Sequence, residues 1–458
     1  MGRNPSNAFI SDFTTGKVTK TMLAFAGPLF LSNLLQAVYN MVDMIVVGRV
    51  VGEAGLSGIS VGGDLLTFLT FLSTGFAGAG QIIISQYIGA GKRDRLPRFI
   101  GTMATTLLVG AVGLSILCLL LHRPILTWMN TPEAAWDQAM AYSVTCYFGL
   151  VFIYGYNAVS AILRGMGDSK RPFVFIAVAA VLNVVLDLLF VVGFGMEAFG
   201  AALATVIAQA SSFVTSVIYL HRNKQRLGFV ITRSNFRVDW KEFTTLVKLG
   251  VPMAMRAGAI LFSKLFVNAW VNGFGVTVSA VFGIGQKLDN VVGLLGNAIS
   301  TAGSSMVGQN IGAGKYDRVK RVLGSALMIN GVSFAVVIIV LLLFPQTVFG
   351  IFTGEAQVLA VCMEYLPIAI VSFVACALRD SMNAFSGGCG NFKFNLCVAF
   401  FDGIVGRIGY SLLLGVVFGL GYRGFWLGAA LANCTPFLLG LIYYLTGWWR
   451  KKSAILSE

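Results

Sequence analysis

Two aspartates and an asparagine interrupt strongly apolar stretches of the chain, where their side chains could bind a cation. Asp43 lies in YNMVDMIVVG, and Asn183 and Asp187 lie in VLNVVLDLLF. Because Asn183 and Asp187 are four residues apart, they share one face of a helix. A carboxylate is costly to bury in an apolar span and marks a functional site by default. Its oxygens would take a proton, which neutralises a desolvated acid, or Na⁺, a hard cation that prefers oxygen ligands.

A structural interpretation of the same residues stays open. Polar side chains in apolar helices commonly bridge neighbouring helices by hydrogen bonds. That interpretation is weaker for Asp43 and Asp187, which can carry charge, than for Asn183.

A glycine-rich motif suggests a second chemistry, the binding of phosphate. QYIGAGKRDR at 86–95 and QNIGAGKYDR at 309–318 are identical at eight of ten positions. A phosphate-binding P-loop needs GxxxxGK followed by Ser or Thr, directly after a strand. Here Gln86 stands where the first glycine belongs, and Arg93 follows the lysine. The motif therefore does not indicate an ATPase, and we interpret it as a sharp turn between helices.

The elements that must position these residues are membrane-spanning helices. The 458 residues are 57% hydrophobic and 11% charged, with a mean hydropathy of +0.81, whereas about 25% of the residues are charged in a soluble protein. Lipid offers the backbone no hydrogen-bond partner, so apolar runs of about 20 residues must be helical, and a membrane barrel would instead alternate apolar and polar residues. Twelve helices are predicted, at residues 22–48, 56–84, 99–121, 138–163, 172–194, 199–220, 243–271, 278–307, 320–344, 358–386, 394–419 and 423–446.

The net charge of +14 follows membrane topology and does not indicate binding of nucleic acid. If the N-terminus is cytoplasmic, 24 of the 33 basic residues lie in segments on the cytoplasmic side, and three, Arg49, Arg123 and Arg423, lie outside. The positive-inside rule then places both termini in the cytoplasm. We expect a multi-pass protein of the cytoplasmic membrane.

The 223-residue offset of the motif recurs elsewhere, which indicates an internal duplication. AILRGMGDSK at 161–170 aligns with AFSGGCGNFK at 384–393. Each half holds six helices, so the repeats are parallel and related by a pseudo-twofold axis along the membrane normal. The predicted fold is an all-α integral membrane protein with two six-helix bundles. Five segments are predicted: a cytoplasmic N-terminal segment at 1–20, the N-terminal bundle at 21–220, a cytoplasmic linker at 221–242, the C-terminal bundle at 243–446 and a cytoplasmic tail at 447–458.

Several motifs stand in a particular order along the chain: VDMIVVGRVVG in helix 1, QxIGAGKxxR after helices 2 and 8, LRGMGDSKRP after helix 4, VLNVVLD in helix 5 and GAALAT in helix 6. In their order and spacing they resemble the multidrug and toxic compound extrusion (MATE) family in its bacterial, DinF-like or MepA-like branch. The resemblance covers nearly the whole chain and implies the MATE fold. It also implies that Asp43, Asn183, Asp187 and Thr205 form an ion-coupling site for H⁺ or Na⁺.

The C-terminal half departs from this pattern, because the acid pair is not repeated 223 residues later. Its apolar helices carry Arg256, Lys264 and Arg407 instead. In one interpretation these cations form compensated pairs, such as Asp402 with Arg407. In the other they face a substrate cleft and bind an anionic or zwitterionic group.

Three further residues are candidates for roles in transport. Tyr39 and Tyr156 lie on or beside the helices that carry the acid site, so they are candidates for the substrate cleft. Pro28 is the candidate for a bend in helix 1, because a proline frees a backbone carbonyl inside a helix.

These observations predict a secondary-active multidrug efflux antiporter that exports amphipathic small molecules by alternating access in exchange for H⁺ or Na⁺. The resemblance implies organic cations as substrates. The alternative is a lipid-linked saccharide flippase of the same superfamily, which the basic C-terminal half favours because such substrates carry phosphate. No HExxH, GxSxG or catalytic dyad indicates an enzyme. We expect no cofactor beyond the coupling ion, no nucleic-acid partner, no ATPase subunit, and a monomer in the inner membrane of a bacterium.

Overall fold

The computed structural model describes residues 10–223 and 232–450. Parts of the predicted N-terminal segment, linker and C-terminal tail, at 1–9, 224–231 and 451–458, lie outside the described residues. Within the described ranges the regular elements are helices, and no strand is present. The predicted all-α class is therefore confirmed.

Twelve helices of the described residues are long and apolar enough to cross a membrane, which is the number predicted. Most extend a few residues beyond the predicted spans, because polar residues continue the helix past the apolar run. The helices are α1 (Val18–Val50), α2 (Gly52–Gly89), α3 (Leu96–Leu120), α4 (Glu133–Gly165), α5 (Lys170–Gly193), α6 (Glu197–Arg222), α7 (Trp240–Asn272), α8 (Val276–Gly312), α9 (Tyr316–Leu343), α10 (Ala356–Cys389), α11 (Phe392–Val417) and α12 (Gly421–Leu445). Short helices at His122–Trp128 and Pro345–Gly350 precede α4 and α10.

The chain forms two compact units. Unit 1 consists mainly of Leu31–Ile88 and Lys92–Gly250, and unit 2 consists of Phe13–Phe30, Gly89–Gly91 and the chain from Val251 onward. The predicted bundle boundaries at 21–220 and 243–446 stay a prediction.

Helices α1 and α7 each contribute residues to both units. Each changes unit close to a proline inside the helix, Pro28 in α1 and Pro252 in α7. A proline in a helix interior removes one backbone hydrogen bond and crowds the preceding turn.

Each unit has its own apolar core, built where small residues allow close helix packing. In unit 1, Val47, Ile59 and Tyr142 are buried together. A side chain on Gly58 of α2 would collide with the backbone of Ala139 in α4, so glycine sets the α2–α4 distance. Membrane helices use small residues in this way because apolar surface alone does not drive them together in lipid.

The glycine-rich motifs form the predicted turns after α2 and α8. Gly91 and Gly314 adopt φ of +71° and +67°, a left-handed conformation that residues with a side chain rarely adopt. Both copies of GAGK therefore end one helix and start the next, as interpreted from the sequence.

The second copy of the motif also binds the chain just before α1, residues 13–17, which we call the α1 leader. Gln309 accepts a 2.8 Å hydrogen bond from the Phe13 backbone nitrogen, and Asn310 donates to the Phe13 carbonyl. Lys315 donates to Thr14, and Arg318 donates to three carbonyls of the leader at 2.8–3.1 Å. Lys315 and Arg318 of the motif therefore satisfy backbone oxygens and have a structural role.

The first copy contacts the first turn of α7, and helix α3, which follows the motif, contacts the chain before α7, residues 232–239, which we call the α7 leader. Tyr87 of the motif donates a 2.7 Å hydrogen bond to Glu242 in the first turn of α7. Thr102 and Thr105 of α3 bond to the backbone of Asp239 and Phe236 in the leader. The second motif copy thus lies beside the start of α1, and the first copy lies beside the start of α7.

Candidate functional site

The four residues of the predicted ion site lie together inside unit 1. Asp43 is on α1, Asn183 and Asp187 are on α5, and Thr205 is on α6. The Asn183 amide nitrogen donates a 3.4 Å hydrogen bond to the Thr205 hydroxyl, which joins α5 to α6. Asp43 lies close enough to Asp187 for the two carboxyl groups to interact electrostatically. Three helices therefore bring their polar side chains to one place.

The two carboxyl groups are enclosed and lack donors. Asp43 is 8% exposed and Asp187 is fully buried. Within the described residues, Oδ1 of Asp43, Oδ1 of Asn183 and both carboxylate oxygens of Asp187 have no hydrogen-bond partner. No lysine or arginine of the described chain acts on either carboxyl group. An ionised carboxylate without a partner is very costly in such surroundings, and a proton or cation bound here would remove that cost.

A small cavity adjoins this cluster. Tyr39 of α1, Asn183 of α5, and Thr205 and Gln209 of α6 line it, together with alanines of α5 and α6. The cavity volume is about 10 Å³, close to the minimum that holds one water molecule. Pockets for drug-sized ligands are about 300–1,000 Å³. The cavity therefore has the size for a water molecule or a small ion rather than for a drug-sized substrate.

The donor set fits a hard cation or a proton. Asp, Asn and Thr contribute oxygen atoms, which hard cations prefer. Transition metals instead favour imidazole and thiolate ligands. The described residues contain no group of three or more His, Cys, Asp and Glu side chains that could hold a metal.

The backbone next to Asp187 is irregular. The segment Leu188–Gly193 at the end of α5 is π-helical. This geometry is rare in proteins overall, and where it occurs it is often at a functional site. In unit 2, α11 contains two π-helical segments, Phe401–Gly406 and Leu413–Val417. Periodicity in the sequence assumes 3.6 residues per turn, so it does not reveal these wider turns.

Two other residues singled out from the sequence are Tyr156 and Pro28. The Tyr156 hydroxyl donates a 3.0 Å hydrogen bond to the Pro172 carbonyl, and its side chain is buried. This bond ties α4 to the start of α5, and Tyr156 is not among the residues that line the cavity above. Its predicted place in a substrate cleft stays a prediction. Pro28 lies inside α1, which continues as a helix through it.

The basic residues of unit 2 are paired differently from the expectation. Arg256 donates hydrogen bonds of 3.0 and 2.8 Å to Oδ2 of Asp402 and one of 3.0 Å to Asn383. The expected pair of Asp402 with Arg407 is therefore wrong. Although these two residues are near in sequence, the guanidinium from the neighbouring helix α7 takes the carboxylate, and Arg407 bonds to Asn433 at 3.3 Å. Lys264 makes no hydrogen bond in the part of the chain that the structure describes.

The sequence did not predict two polar residues, Gln209 beside the ion site of unit 1 and Asn433 beside the arginines of unit 2. Gln209 follows Thr205 by four residues and so shares its helix face, a spacing that would have identified it. Asn433 lies where α12 is interrupted, between Gly421–Ala432 and Cys434–Leu445. No local pattern marks it, because its role depends on arginines from α10 and α11.

Comparison with known proteins agrees with the duplicated helical fold. A family model described as MatE matches residues 28–189 and again residues 252–411. The probable multidrug resistance protein YoeA of Bacillus subtilis (strain 168) is 29% identical over 447 residues, which cover 96% of each chain. The probable multidrug resistance protein YpnP of the same organism is 29% identical over 440 residues, covering 96% of this chain and 97% of YpnP. A crystal structure of MATE in complex with MaD3S superposes with a TM-score of 0.89 at 20% identity, covering 96% of this chain and 98% of the other.

Proposed function

Because the chain belongs to the MatE family, we propose that it is a secondary-active antiporter that exports amphipathic small molecules in exchange for H⁺ or Na⁺. The observation that carries the proposal is the enclosed pair Asp43 and Asp187, whose unpartnered oxygens need a proton or cation. The relatives YoeA and YpnP are named as probable multidrug resistance proteins, which supports export of foreign compounds. The membrane is the inner membrane of a bacterium, with both termini in the cytoplasm.

The coupling ion is the cargo that moves inward. Asp43 and Asp187 take it from the outer side, where the gradient favours occupancy, and Asn183 and Thr205 complete the oxygen ligands if the ion is Na⁺. Neutralising the carboxyl groups changes how α1, α5 and α6 attract one another. This change lowers the affinity for the exported molecule and favours the state open to the cytoplasm.

The membrane potential supplies part of the driving force. One positive charge that moves inward through 100 mV releases about 2.3 kcal/mol. Conformations that differ by a few kcal/mol are shifted appreciably by this amount. Pro28 provides the bend in α1, since the helix lacks a backbone hydrogen bond there. The protein acts as a monomer, without an ATPase subunit and without a cofactor beyond the coupling ion.

Gradient-driven efflux in proteoliposomes tests the proposal. A fluorescent amphipathic dye is followed under a pH gradient and, separately, under a Na⁺ gradient. Wild-type protein should respond to one of them, and Asp43→Asn should remove that response while the protein remains folded. The control is Thr19→Val. Thr19 lies at the start of α1, outside the Asp43–Asp187 cluster, so this variant should retain efflux. Full efflux by Asp43→Asn would refute the assignment.

The flippase alternative has less support. Neither relative described above is named as a flippase. Binding of lipid-linked pyrophosphates, compared with binding of amphipathic dyes, separates the two functions. Strong preference for the pyrophosphates would favour the flippase.

A further inference from the structure

The apolar helices of unit 2 carry Arg256, Lys264, Arg379 and Arg407, and the first and third of these are neutralised by neighbours. Arg256 pairs with Asp402 at 2.8 Å, and Arg379 pairs with the adjacent Asp380 at 2.9 Å. The carboxylate side chains of both pairs are at most 7% exposed. Each of these two acids therefore serves a particular arginine.

Arg407 is not neutralised in this way. It is 6% exposed, and its Nε has no hydrogen-bond partner within the described ranges. Its hydrogen bond is the one of 3.3 Å to Oδ1 of Asn433, and that same oxygen accepts a 2.6 Å bond from Arg379. A guanidinium has five N–H donors. Because Arg407 and Arg379 share the single amide oxygen of Asn433, some of their donors have no acceptor among the described residues. A buried charge without a partner is costly, so this arrangement is suited to accepting an anion.

Lys264 adds a third cation to the same place. It lies within electrostatic range of Arg379 and Arg407, and also of Asp289. Both oxygens of Asp289 accept hydrogen bonds of 3.1 Å from Ser372, and Asp289 forms no ion pair shorter than 4 Å with Lys264 in the described chain. The ammonium group therefore keeps its donors for another acceptor.

The two remaining acids nearby are each paired with another arginine through one carboxylate oxygen, Asp402 with Arg256 and Asp380 with Arg379. Oδ2 of Asp402 accepts both bonds from Arg256. Oδ2 of Asp380 lies against the backbone of Gly296 on α8, in the space that a side chain there would fill. Neither acid forms an ion pair with Arg407 in the described chain, although Asp402 and Asp289 act on it electrostatically. Among the described residues, the four cations therefore face three acids, and the one positive charge in excess lies at Arg407 and Lys264.

We propose that Arg407, Arg379 and Lys264 form an anion-binding site in unit 2 that takes a carboxylate or phosphate group of the exported molecule. Two guanidinium groups offer planar, paired donors that match both of these anions. Asn433 is a positioning residue, because it holds the two guanidinium groups beside one oxygen. Arg379 retains 24% exposure, so the group is not sealed in the protein.

The inference rests on the proposed function only for the statement that the occupant is exported. It narrows the substrate class to amphipathic molecules that carry an anionic group, alone or beside a cationic one. That differs from the organic cations expected from the family resemblance. The site is also separate in sequence from the coupling site, since its residues lie on α7, α10 and α11.

Equilibrium dialysis with two matched probes tests the site. Full-length protein in phosphatidylcholine nanodiscs is dialysed against radiolabelled 4-phenylbutyrate or 4-phenylbutylamine, which share an apolar body and differ in charge. Empty nanodiscs correct for partitioning into lipid. The wild type should bind the carboxylate at least tenfold more tightly than the amine, and inorganic phosphate should compete with it.

The variants separate the site from surface charge. Arg407→Gln and Lys264→Gln should each weaken binding of phenylbutyrate about tenfold or more, the usual effect of losing a charged hydrogen bond, and Arg407→Lys should restore part of it. Arg423→Gln removes an exposed cation of the same unit and should change binding less than twofold. If Arg407→Gln does not fold, Lys264→Gln carries the test. Equal affinity for both probes, or unchanged binding in both glutamine variants, would overturn the proposal.

Two further measurements separate the occupant from other sources and from the coupling proposal. Dialysis needs no gradient, so weakened binding of phenylbutyrate by Arg407→Gln bears on the anion site alone, whereas efflux by Asp43→Asn bears on the coupling proposal alone. Nanodiscs containing phosphatidylglycerol test a lipid headgroup as the occupant. Displacement of the probe by this lipid, together with no transport of phenylbutyrate in proteoliposomes, would overturn the assignment to an exported molecule.

Discussion

Replacing Arg256 with methionine should lower the free energy of unfolding by about 3 kcal/mol, because the change leaves the carboxylate of Asp402 buried without its counter-ion. Arg256 is 22% exposed at its side chain and Asp402 is 1% exposed. Three hydrogen bonds, two of them to one carboxylate oxygen, are lost. Removing one partner of a buried pair costs about 3–5 kcal/mol, and the partial exposure of Arg256 favours the lower end of that range.

Unfolding in mixed micelles by titration with dodecyl sulfate measures this change. In the Arg256→Met background, Asp402→Asn should recover part of the loss, because the double variant has no stranded charge. The coupling energy of the pair is then about 2 kcal/mol, within the range for residues in direct contact. The parallel cycle of Asp402→Asn with Arg407→Met should give a smaller coupling. A larger coupling of Asp402 to Arg407 than to Arg256 would refute the pairing seen in the structure.

Two changes test how the leaders are held. Gly101→Ala places a methyl group against the Asn235 carbonyl of the α7 leader, so it should destabilise the protein by about 1–3 kcal/mol in thermal unfolding. The control is Gly110→Ala on the same helix, which has open space around it and should not destabilise the protein. Equal effects of the two changes would contradict the packing. Arg318→Ala removes the hydrogen bonds to the α1 leader and should speed tryptic cleavage within it, whereas the exposed Arg321→Ala on the same helix should not. Unchanged cleavage after Arg318→Ala would show that the leader is held by other contacts.

The fold was predictable because its determinants are local. Twelve apolar runs predict twelve helices, since lipid permits the backbone no other regular arrangement within a single span. The duplication was visible in the two glycine-rich motifs, and their positive φ at Gly91 and Gly314 explains why glycine stands at both turns. The family model matches each half of the chain, as the repeat requires.

The surroundings of the polar residues were only partly predictable. The spacing of Asn183 and Asp187 placed them on one face of α5. The apolar surroundings of Asp43 marked it as a candidate, but its position beside the other two residues was implied only by the resemblance to a family. Helix periodicity does not show which neighbouring helix supplies a partner. The pair of Asp402 with Arg407 was expected from their separation along α11, whereas Arg256 on α7 reaches the carboxylate through space.

The role of the glycine-rich motif was also hidden from local patterns. Its cations were interpreted as topological markers. In the structure, Lys315 and Arg318 bind carbonyls that lie 301 and 303 positions earlier in the chain. Contacts at such separations depend on the tertiary fold, so no motif in the sequence indicates them.

The central claim is that the carboxyl groups of Asp43 and Asp187 couple ion binding to release of the exported molecule. Its most direct test is the dissociation constant of one exported dye, measured by equilibrium dialysis across a range of pH and of Na⁺ concentration. Linkage requires that an ion which lowers affinity for the dye is itself bound less tightly when the dye is present. The wild type should bind the dye more weakly as one of these ions increases, and Asp187→Asn should show no such dependence. The same ion dependence in Asp187→Asn would contradict the claim.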